Sequence, residues 1–431
     1  MRPPTRAPRV LLVAATTGYQ IRSFGAAAER LGAELILATD RCHRLDDPWR
    51  DGAVPIRFHD EDAAVRAIAD AAAAAPFDAV LAVGDRPALI GALAARVLGL
   101  PAHSPAAVRV AGHKLKTRMR LRAAGLRTPW FRSIPVDRDS GVLLDRVSYP
   151  CVVKPLGLAA SRGVIRADTP VELVAAVERL RRLLASPEIR LLRDPANDSI
   201  ALEEYIPGHE VAVEGVVTDG ELEIFAILDK PDPLEGPFFE ETIYVTPDRL
   251  RLEERRDVVE QVGGAVEALG LTHGPIHAEC RLGPRGAVVI EVAARSIGGL
   301  CSRVLRFNGP AGGSHSLEEV LFQHTLGRPV ARHYAVAREG AAVMMIPVPG
   351  AGICQGVAGL DAARAVPLVE DIVITTKPGQ RLVPWPEGAS YPGFIFARGR
   401  SPEEVVAAVR AAHDRLTFRV ASEIAVTAAM G

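Results

Sequence analysis

The stretch Pro275-Ile276-His277-Ala278-Glu279-Cys280-Arg281-Leu282-Gly283-Pro284-Arg285-Gly286-Ala287-Val288-Val289-Ile290-Glu291-Val292-Ala293 reads as a β-hairpin. Apolar and polar residues alternate up to Leu282, and Gly283-Pro284-Arg285-Gly286 supplies the residue types that turns require. A turn centred on Arg285 sets Glu279 opposite Glu291 and His277 opposite Ala293. On that register Ile276, Ala278, Cys280 and Leu282 share a face with Val288, Ile290 and Val292; His277, Glu279, Arg281 and Glu291 share the other. Two carboxylates facing each other repel unless a cation lies between them. Mg²⁺ held by one or two carboxylates plus substrate phosphates is one solution. Neutralisation by Arg281 and Arg295 on a solvated face is the other, and the hairpin alone leaves both open.

Upstream, the first hundred residues alternate strand and helix. Val10–Ala15, Glu34–Thr39 and Asp78–Val83 have strand length, with helical stretches such as Phe24–Leu31 and Ala63–Ala74 between them. This pattern predicts a parallel sheet covered by helices. The turn Ala14-Ala15-Thr16-Thr17-Gly18 lacks GxGxxG, so dinucleotide binding is unsupported. Ser104-Pro105 opens a short helix, and a second helix spans His113 to Gly125 with Leu115, Met119, Ala123 and Leu126 expected toward the core. A strand at Tyr149–Lys154 precedes a helix with the stripe Leu173, Val177, Leu180, Leu184. Strands follow at Ser199–Tyr205, Glu210–Thr218 and Glu221–Asp229, then a helix carrying Val258, Val262, Val266 and Leu269. From about Tyr334 short strands and Gly/Pro turns predict a separate α+β tail, closing with a helix capped by Ser401.

The 431 residues are 48% hydrophobic and 24% charged with a net charge of −1, an ordinary globular composition with no field to attract nucleic acid or acidic membranes. No run approaches the length of a membrane span, and the chain is expected to be cytoplasmic. Five scattered cysteines, Cys42, Cys151, Cys280, Cys301 and Cys354, fit neither a disulfide framework nor a zinc ribbon. Only five of the 51 basic residues are lysine: Lys114, Lys116, Lys154, Lys230 and Lys377. A compact ammonium reaches phosphate oxygens in a tight pocket where a planar guanidinium does not.

Two of those lysines stand in motifs. Lys114 lies in Gly112-His113-Lys114-Leu115-Lys116-Thr117-Arg118, eleven residues before Gly125 is reached through Ala124. Lys154 ends a strand in Tyr149-Pro150-Cys151-Val152-Val153-Lys154-Pro155, before the small-residue loop Leu156 to Gly163. Together with Leu202-Glu203-Glu204-Tyr205-Ile206-Pro207-Gly208-His209-Glu210 and the Glu279/Glu291 hairpin, these motifs resemble the ATP-grasp superfamily over roughly residues 10–330; the tail looks like the C-terminal domain of L-amino-acid ligases.

The resemblance implies a fold of α/β and α+β type: a Rossmann-like N-terminal domain over 1–108, a two-lobed ATP-grasp domain over 109–330, and a small α+β C-terminal domain over 331–431. It implies ATP and Mg²⁺ (or Mn²⁺) as cofactors. Lys114 and Lys154 would bind nucleotide phosphates, with Ser161 and Gly163 in the loop that closes over them. The backbone at Glu203 and Ile206 would meet adenine, making their side chains less important, and Glu210 would accept the ribose hydroxyls. Lys230 would be a third phosphate lysine. Glu279 and Glu291 would bridge the metal, and Arg295, four residues on, would neutralise the transition state. Arg162 would add a phosphate contact. Ala293 replaces the Asn usual two residues after the second glutamate; His277, opposite, would fill the gap with a water or ligate directly. Phe238-Phe239-Glu240-Glu241 would line an acceptor pocket or pack in the core.

The expected activity is ATP-dependent amide formation between a small-molecule carboxylate and an amine through an acyl phosphate. The alternatives are a biotin-carboxylase-like or purine-pathway ligase, or a non-catalytic ATP-binding regulatory protein. Neither nucleic acid nor membrane is an expected partner, and a homodimer is the expected assembly.

Overall fold

The strand Arg9–Ala14 is apolar on both faces because it is covered twice. Leu11 and Val13 pack with Ile68 and Ile90, whereas Val10, Leu12 and Ala14 pack with Phe24 and Ala27. It is central in a four-stranded parallel sheet ordered Val54–Pro55, Glu34–Thr39, Arg9–Ala14, Ala79–Val83. The computed structural model describes residues 6–16, 18–40, 52–137, 147–310, 312–330 and 332–422; Thr17 and Cys42 lie outside them. The other four cysteines are free and buried. No helix among the described residues is long and apolar enough to cross a membrane.

A second, antiparallel sheet is ordered Phe131–Pro135, Ser199–Glu204, Cys151–Pro155, Ile165–Ala167. Helix Pro170–Leu184 buries the anticipated stripe Leu173, Val177, Leu180 and Leu184 against it. Thr169 caps this helix by accepting the Glu172 N–H at 3.3 Å.

The third sheet has eight strands, ordered Gly286–Ala293, Gly274–Gly283, His209–Thr218, Glu221–Asp229, Ile243–Thr246, Gly340–Met345, Gly393–Gly399, Val369–Ile374. The tail is therefore not separate, as its composition had suggested, but supplies the last three strands. The reason is an edge that needs a partner. Ile243–Thr246 shares a single registered pair, Asp229–Val245, with the preceding strand, but four, Ile243–Met344 to Thr246–Ala341, with the tail. Helix Leu252–Leu269 buries Val258, Val262, Val266 and Leu269 under the first strands.

The hairpin keeps Glu279 opposite Glu291 and His277 opposite Ala293, but a bulge after Glu279 pairs Cys280 with Val289 and passes over Ile290. The turn residues are thus Pro284 and Arg285, and the expected face assignment fails beyond the bulge. Ala287, Val289 and Val292 join the core with Ile276, Ala278 and Cys280, while Ile290 and Glu291 both border the central cavity. Helix Lys114–Ala123 also departs from expectation. It buries Thr117, Arg118 and Leu121, and Met119 is 52% exposed. Its inward face is chosen by the Arg118 ion pair rather than by a hydrophobic stripe.

Candidate active site

A cavity of about 320 Å³ lies between the second and third sheets, roofed by the loop after Cys151–Pro155 and walled at one end by the tail. Three buried clusters of charge converge on it. Such clusters are costly to desolvate, and each sets cations against carboxylates.

The first sits at the nucleotide-motif end. Lys154 Nζ lies 2.6 Å from Glu203 Oε2, and Arg118 Nη2 lies 3.2 Å from the same oxygen. All three side chains are buried. Burial would raise the Glu203 carboxyl, but the Arg118 and Lys154 charges overcome it and hold it at about 2. Glu203 was expected to matter through its backbone; its side chain is instead the counter-ion of two cations. Arg118 also donates to the Val289 carbonyl at 3.3 Å, tying the Leu202–Glu210 segment, the hinge between the second and third sheets, to the hairpin. Gly208, in the hinge, has φ +114°, and a Cβ there would overlap the Leu282 carbonyl oxygen at 2.0 Å.

The second cluster lies beneath the floor. Lys230 Nζ is 2.7 Å from Glu210, 2.6 Å from Glu241 and 3.0 Å from Glu279. Burial works against the ammonium, but three carboxylates hold its pKa well above the ordinary lysine value. Burial and the neighbouring acids push Glu241 up to about 7 despite Lys230. Glu210 also accepts Arg281 Nε at 2.7 Å, and Arg281 Nη1 donates to the Ile206 carbonyl at 2.8 Å. Arg281 thus serves the hinge and does not neutralise Glu279 and Glu291 on a solvated face.

The third cluster is at the hairpin's open end. Arg295 grips Asp85 with both prongs, Nε–Oδ1 2.6 Å and Nη2–Oδ2 3.2 Å. Burial opposes the Asp85 charge, but Arg295 draws its pKa below the usual carboxylate value. His277 Nδ1 bonds Glu214, and its Nε2 lies 3.6 Å from Glu279. Burial would lower His277, yet Glu214 and Glu279 raise it to about 9.

Lys114, Lys154, Ser161, Glu203, Ile206, Glu210, Glu279, Glu291 and Arg295 all border this one cavity. Lys116 is exposed away from it. Gly163 does not border it: its N–H donates to the Pro386 carbonyl at 2.7 Å, so this amide is not free to cradle an anion. Arg162 likewise turns away from the expected phosphate contact, donating to the Glu387 carbonyl at 2.7 Å and pairing with Glu188. Lys114 Nζ reaches the loop itself, 2.5 Å from the Leu158 carbonyl. Phe239 and Glu241 line the cavity, while Phe238 packs against the second sheet's core.

The carboxylates offer hard oxygen donors of the kind Mg²⁺ and Mn²⁺ prefer. Glu279 and Glu291 face each other, and oxygens of Glu210, Glu241 and Glu279 lie within 4.8 Å of one another. Asp85, Arg118 and Glu214 escaped the sequence reading. The signal available for Asp85 was an acid directly after Gly84 at the end of the strand Ala79–Val83.

The chain matches three family models: ATP-grasp N-terminal domain over residues 25–102, ATP-grasp domain over 147–304, and L-amino acid ligase C-terminal domain 2 over 344–421. Alanine–anticapsin ligase of Bacillus subtilis is 30% identical over 214 residues, 47% of this chain and 44% of that protein. Carnosine synthase 1 of Gallus gallus is 29% identical over 226 residues, 51% of this chain and 24% of that one. The chain thus spans less than half the length of these curated relatives. The crystal structure of an L-amino acid ligase from Bacillus licheniformis superposes with a TM-score of 0.79 at 28% identity, covering 97% of this chain and 100% of that one. A phosphoribosylglycinamide synthetase from Anaerococcus prevotii, at 14% identity and a TM-score of 0.66, shares the fold. With nucleotide-motif lysines, facing glutamates and a following arginine gathered on one cavity, and family models matching at both ends and the middle, the chain belongs to the ATP-grasp superfamily, with a C-terminal domain of L-amino-acid-ligase type.

Proposed function

We propose that this chain is an ATP-dependent carboxylate–amine ligase that activates a small carboxylic acid, of amino-acid type, as an acyl phosphate and passes it to an amine, releasing ADP and phosphate. The observation that carries the reading is the convergence of Lys114, Lys154, Glu279, Glu291 and Arg295 on one cavity. Attack of a carboxylate on a γ-phosphate requires positioning and charge neutralisation more than a protein base. Lys154 and Lys114 would hold nucleotide phosphates. Arg295, aimed by Asp85, would present donors to the substrate carboxylate and the developing negative charge. Glu279 and Glu291 would hold Mg²⁺ or Mn²⁺, which when bound supplies neutralisation of the phosphate oxygens. The amine then attacks the acyl carbon, phosphate leaves, and the amine proton departs to solvent or buffer.

The test is a screen of amino-acid pairs for products. ADP, phosphate and an amide are expected, with no turnover when the divalent metal is removed. AMP and pyrophosphate would mean adenylation and would overturn the reading.

A further inference from the structure

The loop between Cys151–Pro155 and Ile165–Ala167 carries two non-glycine residues in the left-handed region, Ala160 at φ 57° and Ser161 at φ 53°, followed by Gly163 at φ 74°. L-residues adopt this conformation at a cost, so it persists where surroundings over-determine it. Here the surroundings are three consecutive tail residues. The Trp385 indole N–H donates to the Ala160 carbonyl at 3.1 Å. The Pro386 carbonyl accepts the Gly163 N–H at 2.7 Å. The Glu387 carbonyl accepts Arg162 Nε at 2.7 Å, and its carboxylate is gripped by Arg179 at 2.5 and 2.8 Å. Trp385 is only 4% exposed and packs on Tyr391, which borders the cavity, with ring centroids 4.8 Å apart and planes tilted by 31°.

We infer that Trp385 and Glu387 are positioning residues for catalysis: the tail segment 385–387 holds the loop over the nucleotide end of the cavity in its working conformation. The inference rests on the ligase reading for its kinetic consequence, but not for its structural one. The indole N–H orients the Ala160 peptide, the Pro386 carbonyl accepts the Gly163 N–H, and Arg179 anchors Glu387 to the helix beneath. Ser161 is thereby kept facing the cavity, and the tail connects the loop to the Tyr391 wall.

Two measurements on the full-length chain decide it. Trp385→Phe keeps the ring on Tyr391 and removes only the N–H. Without any ligand, hydrogen exchange across residues 158–164 should quicken about fivefold, the size expected of one neutral hydrogen bond, while the rest of the second sheet is unchanged. KM for ATP should rise by a similar factor, with kcat and KM for the amino acid within twofold. Glu387→Gln and Arg179→Gln should each raise KM for ATP less, and the double variant no more than either alone. Unchanged loop exchange in Trp385→Phe would overturn the inference, as would an equal loss in all kinetic parameters with a fall in melting temperature. A wild-type chain that fails to bind ATP would sink the ligase reading, while the exchange comparison still decides the role of the tail.

Discussion

Replacing Glu203 by Gln removes one anion and strands two buried cations, Lys154 and Arg118. Two routes give the size of the effect. A carboxyl held at about 2 instead of its ordinary 4.5 corresponds to about 3 kcal/mol of stabilisation at neutral pH. Because the folded pKa is the lower one, that stabilisation is complete above about pH 4.5 and is lost as pH falls toward 2. Independently, breaking a fully buried ion pair from one side costs about 3–5 kcal/mol. The two agree at about 3 kcal/mol, or roughly 6–12 °C in the melting of a unit of 150–250 residues. Thermal unfolding at pH 7.5 followed by circular dichroism measures it. The control is Glu204→Gln, whose 2.9 Å pair with Arg285 is exposed and contributes at most about 1 kcal/mol. Adding Arg118→Met to Glu203→Gln should recover part of the loss by removing a stranded charge. A Glu203→Gln melting temperature within 2 °C of wild type (roughly the resolution of the size relation) would refute the buried-triad account.

Glu291→Gln should leave the fold intact or slightly firmer by relieving repulsion with Glu279, and should raise the metal concentration for half-maximal turnover; an unchanged metal titration would remove Glu291 from the metal site. Arg295→Lys loses the two-pronged grip on Asp85, and kcat/KM should fall about 100-fold, an effect Asp85→Asn should share. Burial pushes His103 and His324 down to about 4, so the unfolded chain takes up protons first; stability should fall as pH drops from about 6.5 to 4, by up to about 3 kcal/mol per histidine, and denaturant unfolding of His324→Gln should show a flatter profile.

The sequence carried the hairpin's acids but not the site's wiring. Glu279 and Glu291 were legible because period-two alternation and a Gly-Pro-Arg-Gly turn fix which residues face each other. The bulge at Ile290 was not, since an extra residue within Val288-Val289-Ile290 leaves no break in polarity to mark it. Arg118 escaped the reading because its partner Glu203 lies 85 residues later. Asp85 lies 210 residues from Arg295, a partnership no local pattern encodes. The helices opened by Ser104 and Ser401 were readable because capping is a local interaction, with each hydroxyl accepting an N–H three residues on.

The short strand Ile243–Thr246 has a consequence for how such enzymes can be recombined. It is encoded within the central domain, yet four of its five registered pairs are with the tail strand Gly340–Met345 and only one is with its own upstream neighbour. Tyr244 lies on that strand and Glu241 two residues before it, both at the cavity's edge. A chimera joined near residue 331 would therefore import more than a new tail. It would re-register a strand belonging to the host, shift Glu241 against Lys230, and mismatch the cavity floor even if every motif residue were retained. Crossovers that preserve function should fall before Ile243, so that both halves of the seam come from one parent.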